Sequence, residues 1–331
     1  MEKLSILDCT LRDGGYVNNW DFGYENIRKI IQNLVSSNIE YIECGFLEDT
    51  FFSKEKTIFT DIDSLSEIAK DFISTKFLLM INFGSYPIEK IQECKNKNFL
   101  LRIAFKKEES NLALDFCKKI KEKGYNFFIN PMHTNFYSKK EIIELVEKVN
   151  EILPYAFTIV DTTGAMREKD VVSLFKIVNE VLDNKIKLCF HSHNNLQLSF
   201  TNAQALIKEN SSRDLIIDST IFGMGRGAGN IQTEQITKYF NDNYHKGYNL
   251  LPVLRLIDET INPIYNKTPW GYSVPYYLAA TNHCHPNYAK FLSNKRFDVE
   301  KIDKILREIP QDKKLNYDEI FIKSKYDKSL L

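Results

Sequence analysis

Leu4-Ser5-Ile6-Leu7-Asp8-Cys9-Thr10-Leu11-Arg12-Asp13-Gly14-Gly15 is an apolar strand that runs straight into an arginine, an acid and two glycines. The glycines let the backbone turn sharply, which puts Arg12 and Asp13 at the carboxyl end of that strand. A carboxylate beside a guanidinium suits a divalent cation and a developing anion. Two more stretches place polar residues just past an apolar run: Cys189-Phe190-His191-Ser192-His193-Asn194-Asn195 and Gly223-Met224-Gly225-Arg226-Gly227-Ala228-Gly229-Asn230. A single mouth could gather all three.

Outward from these motifs, strand-like runs at 4–8, 41–46, 77–83, 99–105, 125–130, 157–161, 186–191 and 215–222 alternate with helical stretches. The helices are expected at 24–37, 63–71, 88–95, 112–123, 139–153, 170–182, 196–209 and 232–239. Most strands are continuous apolar runs, as parallel strands covered on both faces require. In the 139–153 helix Ile142, Ile143, Leu145, Val146 and Val149 share a face, and Ser138 with Glu141 reads as a capping box. The pattern predicts an α/β fold, a (β/α)8 TIM barrel. A doubly wound open sheet is the rival, but the glycine fingerprint expected after its first strand is absent. The polar residues cluster after strands 1, 2, 6, 7 and 8, whose ends a barrel collects in one ring. Past residue 241, Pro263, Pro269 and Pro275 interrupt helical stretches at 248–261, 276–280 and 299–308. The expected organisation is a catalytic barrel over 1–240 and a C-terminal helical cap over 241–331.

The 331 residues carry 44 basic and 44 acidic side chains and 43% hydrophobic residues, an ordinary globular balance that favours neither nucleic acid nor an anionic membrane. The six cysteines are widely spaced with no Cys-x-x-Cys pair, which points to a reducing compartment. With no signal-like apolar segment and no membrane-length run, a cytoplasmic location is expected. A homodimer is compatible with the sequence.

His191 and His193, at i and i+2 on a strand, point to one face. With Asp13 they would offer two nitrogens and one oxygen to a divalent cation, a donor set that suits Mn²⁺, Mg²⁺, Co²⁺ or Zn²⁺. Asn230 is either a fourth ligand or a cap for the helix that follows. Arg12 would stabilise an enolate oxygen, pair with Glu43 of strand 2, or do both. Asp161, ending strand 6 beside Thr163, is a supporting acid or a turn residue. The loop holding Gly225 and Gly227 could cradle an anion or serve as a tight turn. His285, in the cap, is a candidate general acid or base, ahead of His283 and Tyr288. Lys106 and Lys107 precede Glu108 and Glu109 and read as a solvated loop rather than a Schiff-base site.

With these motifs placed, residues 4–240 resemble the DRE-TIM metallolyases, a family that includes 3-hydroxy-3-methylglutaryl-CoA lyase, isopropylmalate and homocitrate synthases and 4-hydroxy-2-oxovalerate aldolase. The resemblance implies that Asp13, His191, His193 and Asn230 hold the metal, Mn²⁺ or Mg²⁺ first. It also implies that Arg12 steadies an enolate with Glu43 behind it. The loop Gly223–Asn230 is similar to that of the aldolase branch. Tyr16 stands where a histidine serves those aldolases as acid or base, and a neutral tyrosine, with an ordinary pKa near ~10, is a poor base unless shifted. The expected activity is metal-dependent aldol cleavage or formation of a 2-oxo acid through a pyruvate-type enolate, with an aldehyde as second partner. Acyl-CoA-dependent Claisen condensation is the enzymatic alternative, and an idle scaffold barrel the non-enzymatic one.

Overall fold

The computed structural model describes residues 4–69, 72–209 and 213–326. Its eight long strands are β1 Leu4–Asp8, β2 Tyr41–Leu47, β3 Lys76–Asn82, β4 Phe99–Phe105, β5 Asn126–Pro131, β6 Ala156–Asp161, β7 Lys187–Ser192 and β8 Leu215–Ser219. Every neighbouring pair is parallel, and β1 bonds to both β8 and β2, so the sheet closes into a barrel. The helices around it are α1 Tyr24–Ser36, α2 Ile62–Ala69, α3 Ser110–Glu122, α4 Lys139–Ile152, α5 Glu168–Val181, α6 Ser199–Glu209 and α7 Thr233–Tyr244. The fold is a (β/α)8 barrel.

Two expectations about elements need amendment, and a third runs past the described residues. The helix over 88–95 does not form; a 3₁₀ turn, Ile88–Lys90, is followed by extended backbone at the buried Ile91. Ile88, Ile91 and Cys94 offer too narrow an apolar stripe to offset the ordering of a helix. Cys94 N–H bonds instead to the Lys123 carbonyl, and Asn98 N–H to the Asn96 side chain. Strand β8 stops at Ser219 rather than 222, because Phe222 turns into the left-handed region (φ 55°). The helix expected over 63–71 ends on residues 70–71, which lie outside the described residues.

Inside the barrel, side chains alternate by two along each strand. Leu7, Tyr41, Leu78, Leu100, Phe128 and Ile216 belong to an apolar floor. One step up the same strands, Glu43, Arg102, His191 and Asp218 form a buried polar layer. Phe46, Met80 and Ala104 lie above it on their strands, packed with Tyr16 and Trp20. The floor closes the barrel below, so the polar layer opens only toward the carboxyl ends of the strands.

After α7 the chain forms α8 Leu251–Leu256, a π-helical turn and α9 Asn262–Lys267. It then forms α10 Val274–Thr281, α11 Pro286–Asn294, α12 Val299–Glu308 and α13 Glu319–Tyr326. Tyr248, Val253, Leu256, Ile261 and Trp270 continue the barrel's outer core, whereas Ala279, Cys284, Tyr288, Leu292, Leu306 and Ile322 form a cluster of their own. Helix α11 was not expected; Pro286 opens it, and His285 Nδ1 accepts the Asn287 N–H as its cap. All six cysteines are free thiols, and among the described residues no helix is long and apolar enough to cross a membrane.

Candidate active site

The turn after β1 folds Arg12 back across the barrel mouth. Its Nε donates to Glu43 Oε2 at 2.6 Å and its Nη1 to Asp13 Oδ1 at 2.5 Å. All three side chains are buried. Burial alone would lower the Arg12 pKa, but Glu43 and Asp13 outweigh it and hold the guanidinium charged. Burial alone would raise the Asp13 carboxyl, yet Arg12 and then His193 keep it well below the ordinary carboxylate range. Asp13 is therefore an anion at neutral pH.

Alternation along β7 carries His191 into the polar layer and leaves His193 just past the strand's end, ring centroids 5.2 Å apart. One ligand atom from each of Asp13, His191 and His193 lies within 4.8 Å of the others. His191 Nδ1 bonds to Asp218 Oδ2 at 2.9 Å, which leaves Nε2 for a ligand. His193 Nδ1 is buried and unpartnered, and burial pushes its pKa down to about 3, so the ring is neutral, the form that binds metals. An antiparallel bridge to His193 brings in Asn230, whose Nδ2 donates to Asp13 Oδ2 at 2.6 Å while its Oδ1 is buried without a partner.

Three observations fit a divalent cation here. Two buried acceptors, His193 Nδ1 and Asn230 Oδ1, lack partners; the donors are imidazole and carboxylate; and one ligand atom from each of Asp13, His191 and His193 falls within reach of a single ion. A second triad, Cys9–His191–Asp218, meets the same distance test. It is a poorer fit, because burial holds the Cys9 thiol protonated and Asp218 already pairs with Arg102.

The other expected residues divide. Asp161 accepts the N–H groups of Ala165 and Met166 on its two oxygens, so it shapes its own turn. Thr163 presents an unpartnered buried hydroxyl, and its carbonyl accepts from Asn195 Nδ2. Gly225 presses on the centre: a Cβ there would come 2.9 Å from Asp13 Oδ2 and 2.3 Å from Asn230 Nδ2. Gly227 has φ +67° and leaves 2.6 Å to Asn195 Oδ1, so neither position accepts a side chain. Tyr16 sits on a helical turn, Gly15–Asn18, edge-to-face with Trp20, with the Arg226 guanidinium 4.6 Å from its ring centre. His285 is buried and kept neutral, first by burial and then by Arg226. Its Nδ1 is spent on the α11 cap, so a neutral ring offers Nε2–H, a donor rather than a base. Tyr288 bonds to the Lys313 and Asn316 carbonyls within the cap, away from the mouth's chemistry.

Three residues of this layer were missed by sequence reasoning. Arg102 donates to both Asp218 oxygens, at 2.6 and 3.1 Å, and lies 3.5 Å from Glu43 Oε1. A lone charge inside an apolar strand run, as in Leu101-Arg102-Ile103 or Ile217-Asp218-Ser219, was the available signal, since a buried charge requires a partner. His133, just past β5, is buried with Nδ1 unpartnered and its pKa pushed down to about 4 by burial and then Arg226. Its place after a strand end was legible.

Residues 3–256 match the HMGL-like family. A 4-hydroxy-2-oxovalerate aldolase from Geobacillus genomosp. 3 is 25% identical over 268 residues, 80% of this chain and 78% of that one. An oxaloacetate decarboxylase from Mycobacterium tuberculosis is 22% identical over 271 residues, 81% of this chain and 79% of that one. Among solved structures, the N-terminal domain of a Bacteroides vulgatus protein described as an aldolase superposes with a TM-score of 0.77 at 26% identity, covering 91% of this chain and 99% of that one. The family match runs from the first barrel strand into α8, and the chain belongs to the HMGL-like family.

Proposed function

We propose that the chain is a divalent-metal-dependent aldolase that makes or breaks a carbon–carbon bond of a 2-oxo acid through a pyruvate-type enolate. The observation that carries this reading is the convergence of Asp13, His191 and His193 beside a buried, charged Arg12. Asp13, His191, His193 and Asn230 would hold the ion, Mn²⁺ or Mg²⁺ in the first instance. When bound, such an ion polarises a carbonyl as a Lewis acid. Both relatives named above are named for a 2-oxo acid.

The chain's own residues supply the rest. Glu43 and Asp13 hold two edges of the Arg12 guanidinium, leaving Nη2 to donate to a developing enolate oxygen in a site shielded from water. Asp218 fixes the His191 ring through Nδ1. His133, with a bare Nδ1, is the better proton acceptor, and His285, with Nε2–H, the better donor. Tyr16 serves as an aromatic wall rather than the base, its ring held by Trp20 and Phe46.

Enolisation alone tests the reading before any aldehyde is known. The metal-loaded enzyme in D₂O is expected to exchange the methyl protons of pyruvate, or the C3 protons of a close 2-oxo acid, and a chelator should stop it. A folded, metal-loaded protein that exchanges none of a broad 2-oxo acid panel would overturn it.

A further inference from the structure

Arg226 has a charge and no carboxylate. Among the described residues nothing ion-pairs with it, and its Nε is buried without a partner. Its position is tightly set. Gly225 on one side abuts Asp13 and Asn230; Gly227 on the other lies 3.4 Å, measured from an ideal Cβ, from Pro286 at the start of α11. The backbone is thus pinned between the candidate metal centre and the cap. The side chain extends over Tyr16 into a cleft of about 350 Å³ between the glycine loop and the cap.

That cleft is built for a small ligand with an apolar body and a negative end. Tyr16, Trp270, Tyr276 and Tyr317 line its walls, and its volume is at the lower end of small-molecule sites. Lys290, on α11, lines the same cleft and has no carboxylate partner among the described residues. Glu319, the acid of the lining, is occupied by Lys323 at 2.6 Å. His133 and His285, held neutral beside Arg226, add no charge of their own. A half-buried guanidinium without a counter-ion is costly, and a planar fork is matched by carboxylate or phosphate.

We infer that this cleft receives the aldehyde half of the substrate and that Arg226, with Lys290 lining the same cleft, binds an anionic group, carboxylate or phosphate, carried by that half. The inference rests on the aldolase reading above and extends it to the class of the second substrate.

The test uses matched aldehydes with pyruvate as donor: butanal against succinic semialdehyde, and glyceraldehyde against glyceraldehyde 3-phosphate. The wild type is expected to prefer the anionic member of at least one pair by roughly tenfold or more in kcat/KM, the scale of a charge-assisted hydrogen bond. The pair that shows it tells carboxylate from phosphate. Arg226→Gln should collapse that ratio and Arg226→Lys retain part of it. Equal use of both members in each pair, or a ratio that survives Arg226→Gln, overturns the inference. So does an Arg226→Gln enzyme whose only defect is a higher pyruvate requirement in deuterium exchange, because that would put the guanidinium on the donor's carboxylate. If pyruvate exchange is absent altogether, the aldolase reading falls, and the anion site is judged by binding alone. Trp270 borders the cleft, so titration with succinate and with inorganic phosphate should give saturable fluorescence changes that Trp270→Phe and Arg226→Gln each remove. No saturable change with either anion overturns the site itself.

Discussion

At His191 the imidazole Nδ1 meets Asp218 Oδ2 at 2.9 Å, and the same carboxylate takes both ends of the Arg102 guanidinium. Removing its charge has two separable effects. In Asp218→Asn an amide NH₂ would face Arg102, leaving a buried cation short of its partner at a cost of about 3–5 kcal/mol in stability. The His191 ring would also lose the acid that fixes its orientation, and affinity for the divalent ion should drop roughly 10–100-fold. Urea melts and a competitive metal titration read the two effects. Unchanged metal affinity in a folded variant would detach Asp218 from the candidate centre. This scale also shows what sequence can and cannot convey. Arg12, Asp13 and His193 were legible because each sits among polar residues just past a strand, and His191 because it stands two residues before His193 at the end of β7. Arg102 and Asp218 lie inside apolar strands, and only the closed barrel brings β4 across to β8.

Helix α4 was legible down to its first turn. The Ser138 hydroxyl accepts the Glu141 N–H at 3.3 Å, and Glu141 Oε2 accepts the Ser138 N–H at 2.7 Å, the reciprocal box that the sequence predicts. Ser138→Ala should cost about 1 kcal/mol, seen as a slightly lower Tm with turnover per folded molecule intact. The modest figure reflects the long first bond and an exposed site; a loss as large as that of a core truncation would mean the cap also anchors the following loop. Elsewhere the periodic signal misled. Residues 88–95 carry helix formers but bury little, and α11 was hidden because His285-Pro286 reads as a break until the proline is recognised as a first-turn residue.

The ring as a whole is closed by β1, and Asp8 stands at that seam, paired in register with Ser219 of β8 and Ile42 of β2. Burial pushes its carboxyl up to about 6, against hydrogen bonds from Thr233 Oγ1 at 2.6 Å and Thr10 N–H at 2.9 Å. The folded chain thus keeps a proton that the unfolded chain releases at its ordinary carboxylate pKa. Stability from this group is present at the acid end and is lost as pH rises through roughly 4 to 6, by up to about 3 kcal/mol. Asp13 and Asp218, held low, run the other way and weaken the fold only in stronger acid. Asp8→Asn keeps an acceptor for Thr10 and can donate to Thr233, whose hydroxyl then turns to Ser219. The buried imidazoles of His133, His193 and His285 run the other way over this range and Asp161 runs with Asp8, so the measurement is a difference: in chelator-treated protein, the urea-unfolding free energy of Asp8→Asn should gain on the wild type by up to about 3 kcal/mol between pH 4 and 6.5. Parallel profiles would mean that Asp8 is already ionised in the fold. Among the described residues, the sector of the ring between β3 and β4 carries no α-helix, and this has a different consequence, for descent rather than for energy. Its strands bond to their neighbours whether or not a helix covers them, and the covering chain is mostly irregular. Length changes are cheapest in such a segment. Among homologous chains, insertions and deletions should therefore gather at residues 91–98, far from the mouth, while the glycine-flanked loop at 223–230 keeps its length.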